Sequence, residues 1–169
     1  MANTEDVYHF HQTPEACAKD LIAMVPLQPG DSILEPFKGE GAFFNNFPAS
    51  CTKDWAEITQ GRDYKDVQDN FDWVITNPPF RLETGNKRVN SFWYLLDYFT
   101  TRTNKGIAFL GNDRCFCTLT PRRMKLLESR GWSLTKVAVC SIKKWRGRYF
   151  FFILEKNKTP MMTYLEGNY

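Results

Sequence analysis

Residues 71–80 read Phe-Asp-Trp-Val-Ile-Thr-Asn-Pro-Pro-Phe, and this stretch decides the fold class. Its first part, through Ile75, is apolar and rich in residues that favour strands, which predicts a strand buried on both faces. Two prolines then fix the backbone and remove two amide donors, so the strand must end near Asn77. Ligands bind at the carboxyl ends of strands in open α/β sheets, which makes the following loop a candidate site.

The loop Asn77-Pro78-Pro79-Phe80 presents groups that suit an exocyclic amine. The side-chain oxygen of Asn77 and the carbonyl of Pro78 can both accept hydrogen bonds from one amino group. Such acceptors orient the lone pair of the amine and offset the positive charge that develops as the nitrogen is alkylated. Phe80 offers a ring for stacking a planar heterocycle. The alternative is a proline-stiffened turn in which the asparagine serves only as a turn residue.

A second candidate loop follows the strand predicted at residues 32–35. It reads Pro36-Phe37-Lys38-Gly39-Glu40-Gly41 and precedes a predicted helix. Two glycines two residues apart let the backbone approach a ligand closely. Phe37 stands where the dinucleotide-binding fingerprint has its first glycine, so that fingerprint is incomplete. Glu35 and Glu40 would repel a phosphate, whereas a carboxylate suits a cofactor with a charged α-amino group.

Two motifs of this sequence together resemble those of the amino-methyltransferases. The first is the loop at residues 35–41, with an acidic residue, an aromatic and Gly-x-Gly, and the second is Asn-Pro-Pro-Phe after a hydrophobic strand. This family is the adenine-N6 branch of the class I S-adenosylmethionine (SAM)-dependent enzymes, and the resemblance covers about residues 13–155. It implies a three-layer α/β, Rossmann-like fold with a seven-stranded, mostly parallel sheet that contains one antiparallel strand. It also implies SAM as the cofactor, direct methyl transfer, and Asn77, Pro78, Pro79 and Phe80 as the catalytic residues.

The resemblance also implies cofactor-binding roles in four segments. Thr13 and Pro14, at a predicted helix start with Thr13 as N-cap, are similar to the motif that covers the methionine end of SAM. Glu57 takes the role of the acidic residue that bonds the ribose in the family, with Asp54 as the reserve. Asp63 resembles the aspartate that accepts from the adenine amine. Surface charge is the alternative interpretation of Glu57 and Asp63. The full cofactor-binding set is Thr13, Pro14, Glu35, Pro36, Phe37, Gly39, Gly41, Glu57, Asp63 and Asn77.

Charge is distributed unevenly along the chain. Residues 1–80 carry 5 Lys and Arg against 13 Asp and Glu, a net of −8, whereas residues 81–169 carry 17 against 6, a net of +11. This predicts an acidic cofactor half and a basic half that faces a polyanion. One alternative is that the basic faces are only solvated. At residues 143–147 a second alternative is a charged sheet edge that prevents aggregation. The predicted nucleic-acid contacts are Arg81, Lys87, Arg88, Arg122, Arg123, Lys143, Lys144 and Arg146.

The remaining elements are predicted from local patterns. Residues 81–90 are polar and basic, longer than an ordinary connection, and are interpreted as a substrate lid beside the catalytic motif. A short strand is predicted near residues 51–58. Further elements are helices at 91–99 and 120–128, a strand at 105–111, and an antiparallel hairpin of strands at 134–142 and 148–155.

The family resemblance implies methyl transfer to the N6 amine of adenine in nucleic acid, with DNA slightly favoured over RNA, and the basic second half of the chain agrees with a nucleic-acid substrate. DNA enzymes of this branch usually carry a separate target-recognition domain, whereas here residues 81–90, the basic hairpin and the tail would have to do that work. A protein partner that supplies the specificity is therefore one alternative. Methylation of a protein glutamine amide and a non-catalytic SAM- or nucleic-acid-binding module are the alternative functions.

The bulk composition sets the remaining expectations. The 169 residues are predicted to form one methyltransferase domain, with residues 1–12 and 157–169 peripheral or flexible. No apolar run reaches membrane-spanning length, and the polar N-terminus has no signal-peptide core. Five cysteines are expected to be reduced thiols in an intracellular protein. No metal is expected, because Cys115-x-Cys117 has the wrong spacing for a zinc knuckle.

Overall fold

The computed structural model describes residues 12–84 and 87–167, with side chains described except at residues 83, 84 and 87–89. The predicted peripheral segment at residues 1–12 therefore lies outside the description up to residue 11. The strands are β1 (Ser32–Glu35), β2 (Thr52–Trp55), β3 (Phe71–Thr76), β4 (Arg81–Thr84), β5 (Lys87–Asn90), β6 (Thr103–Asn112), β7 (Trp132–Cys140) and β8 (Tyr149–Lys156). The α-helices are α1 (Glu15–Ile22), α2 (Ser91–Thr100), α3 (Asp113–Cys117) and α4 (Pro121–Ser129).

The main sheet has the strand order β2-β1-β3-β6-β8-β7. Strands β2, β1, β3 and β6 are parallel to one another, and β8 is antiparallel to both β6 and β7. The predicted mostly parallel sheet with one antiparallel strand is therefore confirmed. The predicted hairpin near the C-terminus is also confirmed, as β7 and β8.

The expected seventh strand is absent from the main sheet of the described residues, which has six strands. Between Ile58 and Asn70 the chain forms two short 3₁₀ turns instead, at Ile58–Gln60 and Tyr64–Asp66. This segment is polar and holds no run of consecutive apolar residues, so it cannot supply a strand buried on both faces. Strand β2 consequently lies at an edge of the sheet.

The hydrophobic core has two parts, one on each face of the sheet. Successive side chains of the central strand β3 point to opposite faces. Val74 packs with α2 and α4 on one face, whereas Trp73 and Ile75 pack with α1 on the other. The structure therefore has three layers, as predicted. Strand β3 is buried on both faces, with Ile75 fully inaccessible, which confirms the reading of its apolar sequence.

Residues 81–90 do not form the predicted loop. Strands β4 and β5 pair with each other as a separate antiparallel hairpin, in a register that joins Thr84 to Lys87. The sequence between the two strands is Gly-Asn, a dipeptide that is a sequence signal for two-residue hairpin loops. The polar composition of the segment outweighed this signal in the prediction.

The described part of the C-terminal tail is attached to the domain. The Met161 amide donates to the Leu134 carbonyl at the end of the main sheet. The Tyr164 ring packs against the core part that contains α2 and α4. Among the described residues, no helix is both long and apolar enough to cross a membrane.

Candidate functional site

The two loops singled out in the sequence lie side by side at the carboxyl edge of the sheet. Strands β1 and β3 are parallel neighbours, with Leu34 paired to Val74. The loop after Glu35 and the loop after Thr76 therefore leave the same edge. The first, residues 36–41, is called the glycine loop below, and the second, residues 77–80, is called the catalytic loop.

Glu35 is the last residue of β1 and is 2% exposed. Its Oε2 atom accepts a hydrogen bond from the Phe44 amide at 2.6 Å. Burial raises the pKa of the Glu35 carboxyl to about 9; the Phe44 amide and Lys38 oppose this shift, and Glu57 adds to it. A carboxyl group with this pKa is mostly protonated at neutral pH, whereas the predicted contact with a charged α-amino group uses its carboxylate form.

Glu57 lies on the other side of the glycine loop and is 3% exposed. Its Oε2 atom accepts from the Gly39 amide at 2.7 Å, and Oε1 accepts from the amide and hydroxyl of Thr59 at 3.1 and 2.8 Å. Asp54, the reserve candidate, instead forms a bidentate ion pair with Arg62 at 2.6 and 2.7 Å. Of the two acidic candidates, only Glu57 contacts the glycine loop.

The glycine loop uses backbone conformations that side chains disfavour. Gly39 and Gly41 have φ angles of +53° and +87°. A Cβ atom on Gly41 would lie 3.0 Å from the side chain of Asn45. The loop leads into a 3₁₀ turn at Phe44–Asn46 and not into the predicted helix. Phe37 packs its ring against Tyr64 at 5.1 Å, and Pro36 is buried.

Asn77 is tied to the segment before α1. Its Nδ2 atom donates to the Thr13 hydroxyl at 3.3 Å, and Thr13 is 8% exposed. Thr13 is not the N-cap of α1, because the helix begins at Glu15 and Pro14 stands at the cap position without a side-chain cap. The prediction of Thr13 as N-cap is therefore wrong, and its hydroxyl is used by the catalytic loop.

Gln12 belongs to the Gln-Thr-Pro element that resembles the family's cofactor motif, but it was not among the predicted site residues. Its Oε1 atom accepts from the Glu40 amide at 3.4 Å, and a Cβ on Gly39 would lie 3.3 Å from the same atom. Residues 12 and 13 thus connect the glycine loop to the catalytic loop. The available signal was only the position of Gln12 directly before Thr13.

The rest of the catalytic loop is partly built into the core. Pro78 is buried, and Pro79 is half-buried. Phe80 is half-buried and packs against both parts of the hydrophobic core. Asp63 lies farther along the chain and caps the turn at Tyr64–Asp66, where its side chain accepts from the Lys65 amide at 2.9 Å.

Two openings in the surface lie at this edge. A narrow cleft of about 30 Å³ runs beside the glycine loop and is lined by Thr13, Glu35, Phe37, Gly39 and Asn77, among others. A wider groove of about 400 Å³ lies next to it. We call this the lysine groove, since its lining residues are Gln12, Thr13, Pro14, Ile142, Lys143 and Lys144.

The predicted basic contacts do not form one cluster in the described structure. Lys143 and Lys144 are exposed in the lysine groove, and Arg146 is exposed in the same turn. Arg81 is exposed directly after the catalytic loop, and Arg122 is exposed on α4. The other three predicted residues are not exposed basic side chains of the described structure. Arg123 lies over the Trp93 ring at 4.9 Å and donates to the Thr118 carbonyl, while the side chains of Lys87 and Arg88 lie outside the described residues.

The groups around the cleft fit SAM chemically. Carboxyl groups at Glu35 and Glu57 suit an ammonium group and a ribose diol, and glycines without a side chain suit a close approach of the loop backbone to a ligand. Ligand pockets usually measure about 300 Å³ or more. The cleft is smaller than this, and the Gln12 side chain lies in its lining beside Gly39. Among residues 12–84 and 87–167, no group of three His, Cys, Asp or Glu side chains is placed to hold a metal ion.

Neither protein-family models nor curated protein sequences match the chain, but solved structures do. A candidate class I SAM-dependent methyltransferase from Listeria monocytogenes aligns with a TM-score of 0.69 and 14% identity, over 91% of this chain and 64% of its own. A modification subunit of a candidate type I restriction enzyme from Vibrio vulnificus aligns with a TM-score of 0.62 and 13% identity, over 86% of this chain and 44% of its own. Magnesium protoporphyrin IX methyltransferase from Synechocystis, with bound SAM, aligns with a TM-score of 0.56 and 9% identity, over 84% of this chain and 77% of its own.

The chain has the class I methyltransferase fold. It spans less than two-thirds of the length of the Listeria and Vibrio proteins. One of the three similar proteins belongs to a restriction enzyme and another methylates a porphyrin, so the fold alone leaves the substrate open.

Proposed function

We propose that this protein is a SAM-dependent methyltransferase of the amino-methyltransferase branch that acts on the N6 amine of adenine in nucleic acid. The observation that carries the proposal is the catalytic loop, which leaves the central strand β3 directly beside the glycine loop of β1. Asn-Pro-Pro-Phe at that place combines two hydrogen-bond acceptors and an aromatic ring.

The residues of the chain have separate roles in this proposal. Asn77 Oδ1 and the Pro78 carbonyl accept from the target amine and orient its lone pair, and Phe80 stacks on its base. Pro79 stiffens the loop, which keeps the acceptors in place before the substrate arrives. SAM, when bound, supplies the methyl group as an electrophile.

Five of the ten residues proposed to hold SAM line the cleft, namely Thr13, Glu35, Phe37, Gly39 and Asn77. Glu35 in its ionised form pairs with the α-amino group, and Glu57 accepts from the ribose after giving up its bonds to Gly39 and Thr59. Gly39 and Gly41 provide the close backbone approach, Pro36 and Phe37 form the loop wall, and Asp63 accepts from the adenine amine. Thr13 and Pro14 cover the methionine end.

Nucleic acid is the proposed substrate because two exposed lysines lie in the groove next to the cleft. Lys143 and Lys144 line the lysine groove, which shares Thr13 with the cleft. Two exposed lysines beside the site suit a phosphate backbone. A target in a duplex would first have to be flipped out of the stack. DNA remains slightly favoured over RNA, and a protein partner that supplies sequence specificity is part of the proposal.

The test is methyl transfer from radiolabelled SAM to unmethylated DNA, total RNA and a protein extract, followed by identification of the modified product. N6-methyladenine from one nucleic acid is the expected result, whereas label in glutamine would assign the protein to the protein-modifying alternative. Asn77→Ala should remove at least about 99% of the transfer, since the acceptor bond from Asn77 Oδ1 to the developing charge is lost. SAM binding should persist, and Asn104→Ala, an exposed asparagine at the opposite end of the sheet, should match the wild type.

A further inference from the structure

The hydrogen bond between Asn77 and Thr13 joins residues that lie 64 positions apart in the chain. Thr13 is buried and does not cap α1, so local helix geometry does not explain why its hydroxyl lies there. The Gln12 side chain, one residue earlier, bonds to the glycine loop at Glu40. The segment before α1 therefore contacts both loops of the site through side-chain hydrogen bonds.

An asparagine side chain ends in a donor on one side and an acceptor on the other. For Asn77 to accept from a target amine, its oxygen must be the end that receives the substrate. A hydroxyl can hold either end of an amide, but here the Thr13 hydroxyl accepts from Asn77 Nδ2, so the amide is held before the substrate arrives with its oxygen at the opposite end. An amide that rotated freely would spend part of the time with its NH₂ group toward the target amine, where the two donors would oppose each other.

We propose that Thr13 is a positioning residue for catalysis, which orients the Asn77 amide through its hydroxyl, in addition to any contact with the cofactor. This inference rests on the proposed function, because it assigns Thr13 a role in the methyl-transfer step. It differs from the role of the Gln-Thr-Pro segment as a cover for SAM. A cover affects cofactor affinity, whereas a positioning residue affects the rate of the chemical step.

The test compares Thr13→Val, which keeps the side-chain shape but lacks the hydroxyl, with Thr13→Ser, which keeps the hydroxyl. Thr101→Val is the matched control, because Thr101 is exposed at the end of α2 and its hydroxyl bonds only to neighbours in sequence, donating to the Tyr98 carbonyl and accepting from Arg102. Each variant is measured for kcat, for the Kd of SAM by calorimetry, and for hydrogen exchange of the Asn77 side-chain NH₂ group by ¹⁵N NMR. The NH₂ signal is assigned by its loss in Asn77→Asp.

We expect Thr13→Val to lower kcat roughly tenfold, the effect of one lost neutral hydrogen bond, with the Kd of SAM within about twofold of the wild type. The Asn77 NH₂ protons should exchange several-fold faster in this variant. Thr13→Ser and Thr101→Val should keep the wild-type kcat and exchange rate within about twofold.

Two results would overturn the inference, and they separate it from the proposed function. Unchanged Asn77 exchange in Thr13→Val, or a raised Kd of SAM with unchanged kcat, in a protein that methylates nucleic acid would refute the positioning role alone. Altered exchange in a protein that methylates none of the three substrate pools would refute the proposed function, and with it the catalytic meaning of the contact.

Discussion

Replacing Glu35 by Gln should make the folded protein more stable at neutral and alkaline pH, although Glu35 lies in the candidate site. Glutamine has nearly the same size and keeps a side-chain oxygen that can accept from the Phe44 amide. It cannot ionise, however. The substitution therefore removes a titration from the protein interior while leaving the packing and the hydrogen bond in place.

The size of the effect follows from the burial of the carboxyl group. Its pKa is raised from 4.5 to about 9, so between these values the folded protein holds a proton that the unfolded chain has released. Raising the pH therefore favours unfolding, by about 1.4 kcal/mol per pH unit for one such group. From pH 6 to pH 8 the free energy of unfolding falls by about 2.7 kcal/mol through Glu35, and the Gln variant avoids this loss.

Urea unfolding at pH 6, 7 and 8 and constant ionic strength measures the effect directly. The difference in free energy of unfolding between Glu35→Gln and the wild type should widen by about 2.7 kcal/mol over this range. Glu40→Gln, which changes an exposed carboxyl group of the same loop, should show no such widening. A constant difference for Glu35→Gln would mean that Glu35 is ionised when buried, and the electrostatic account of this site would be wrong.

The same substitution, Glu35→Gln, should stabilise the fold but weaken the binding of SAM. If ionised Glu35 pairs with the α-amino group of SAM, binding must release the proton that the carboxyl group holds in the free protein. The affinity of the wild type for SAM should then rise up to about tenfold per pH unit between pH 6 and 8. Glu35→Gln should bind SAM more weakly and lose this dependence, which calorimetry in two buffers of different ionisation enthalpy would reveal.

Three further outcomes are expected. Asp31→Asn should lower the free energy of unfolding by about 2–3 kcal/mol in urea titrations, since the buried Asp31 carboxylate accepts from Trp73 Nε1 at 3.1 Å and pairs with Lys105. Gly41→Ala should cost at least about 1–2 kcal/mol in the same assay and more than Gly61→Ala, because both have positive φ but only Gly41 has a crowded Cβ position. Replacing Lys143 and Lys144 by Gln should reduce the slope of log affinity for unrelated DNA against log salt by about 2, and an unchanged slope would remove the lysine groove from the nucleic-acid surface.

The central strand and the two loops at its edge were predictable because each rests on a strong local signal. An apolar run ended by two prolines predicts β3 and its exit loop, and glycines after a strand predict a backbone turn. The β7–β8 hairpin was likewise signalled by two apolar runs around a short basic turn. Adjacent parallel strands then bring Glu35 and Asn77 to one edge without further information.

The errors have equally specific causes. The family expectation supplied a seventh strand where residues 58–70 have no apolar run to form it. Thr13 before a proline reads locally as an N-cap, and only the folded chain shows that its hydroxyl bonds to Asn77, because spacing along the sequence carries no information about such a distant partner. The raised pKa of Glu35 could not be predicted from the sequence either, because it depends on how deeply the folded chain buries the carboxyl group.

The attachment of α1 has a consequence for synthesis of the protein on the ribosome. This helix, near the start of the chain, packs on the sheet face formed in part by Phe151 and Ile153, and Lys136 donates to the Met24 carbonyl across 112 positions. Part of its docking surface is therefore missing until β8 has been translated. We expect Thr13 to reach Asn77 only after residues 149–156 have left the ribosome, and a shorter nascent polypeptide that already contains both loops should still lack a completed site.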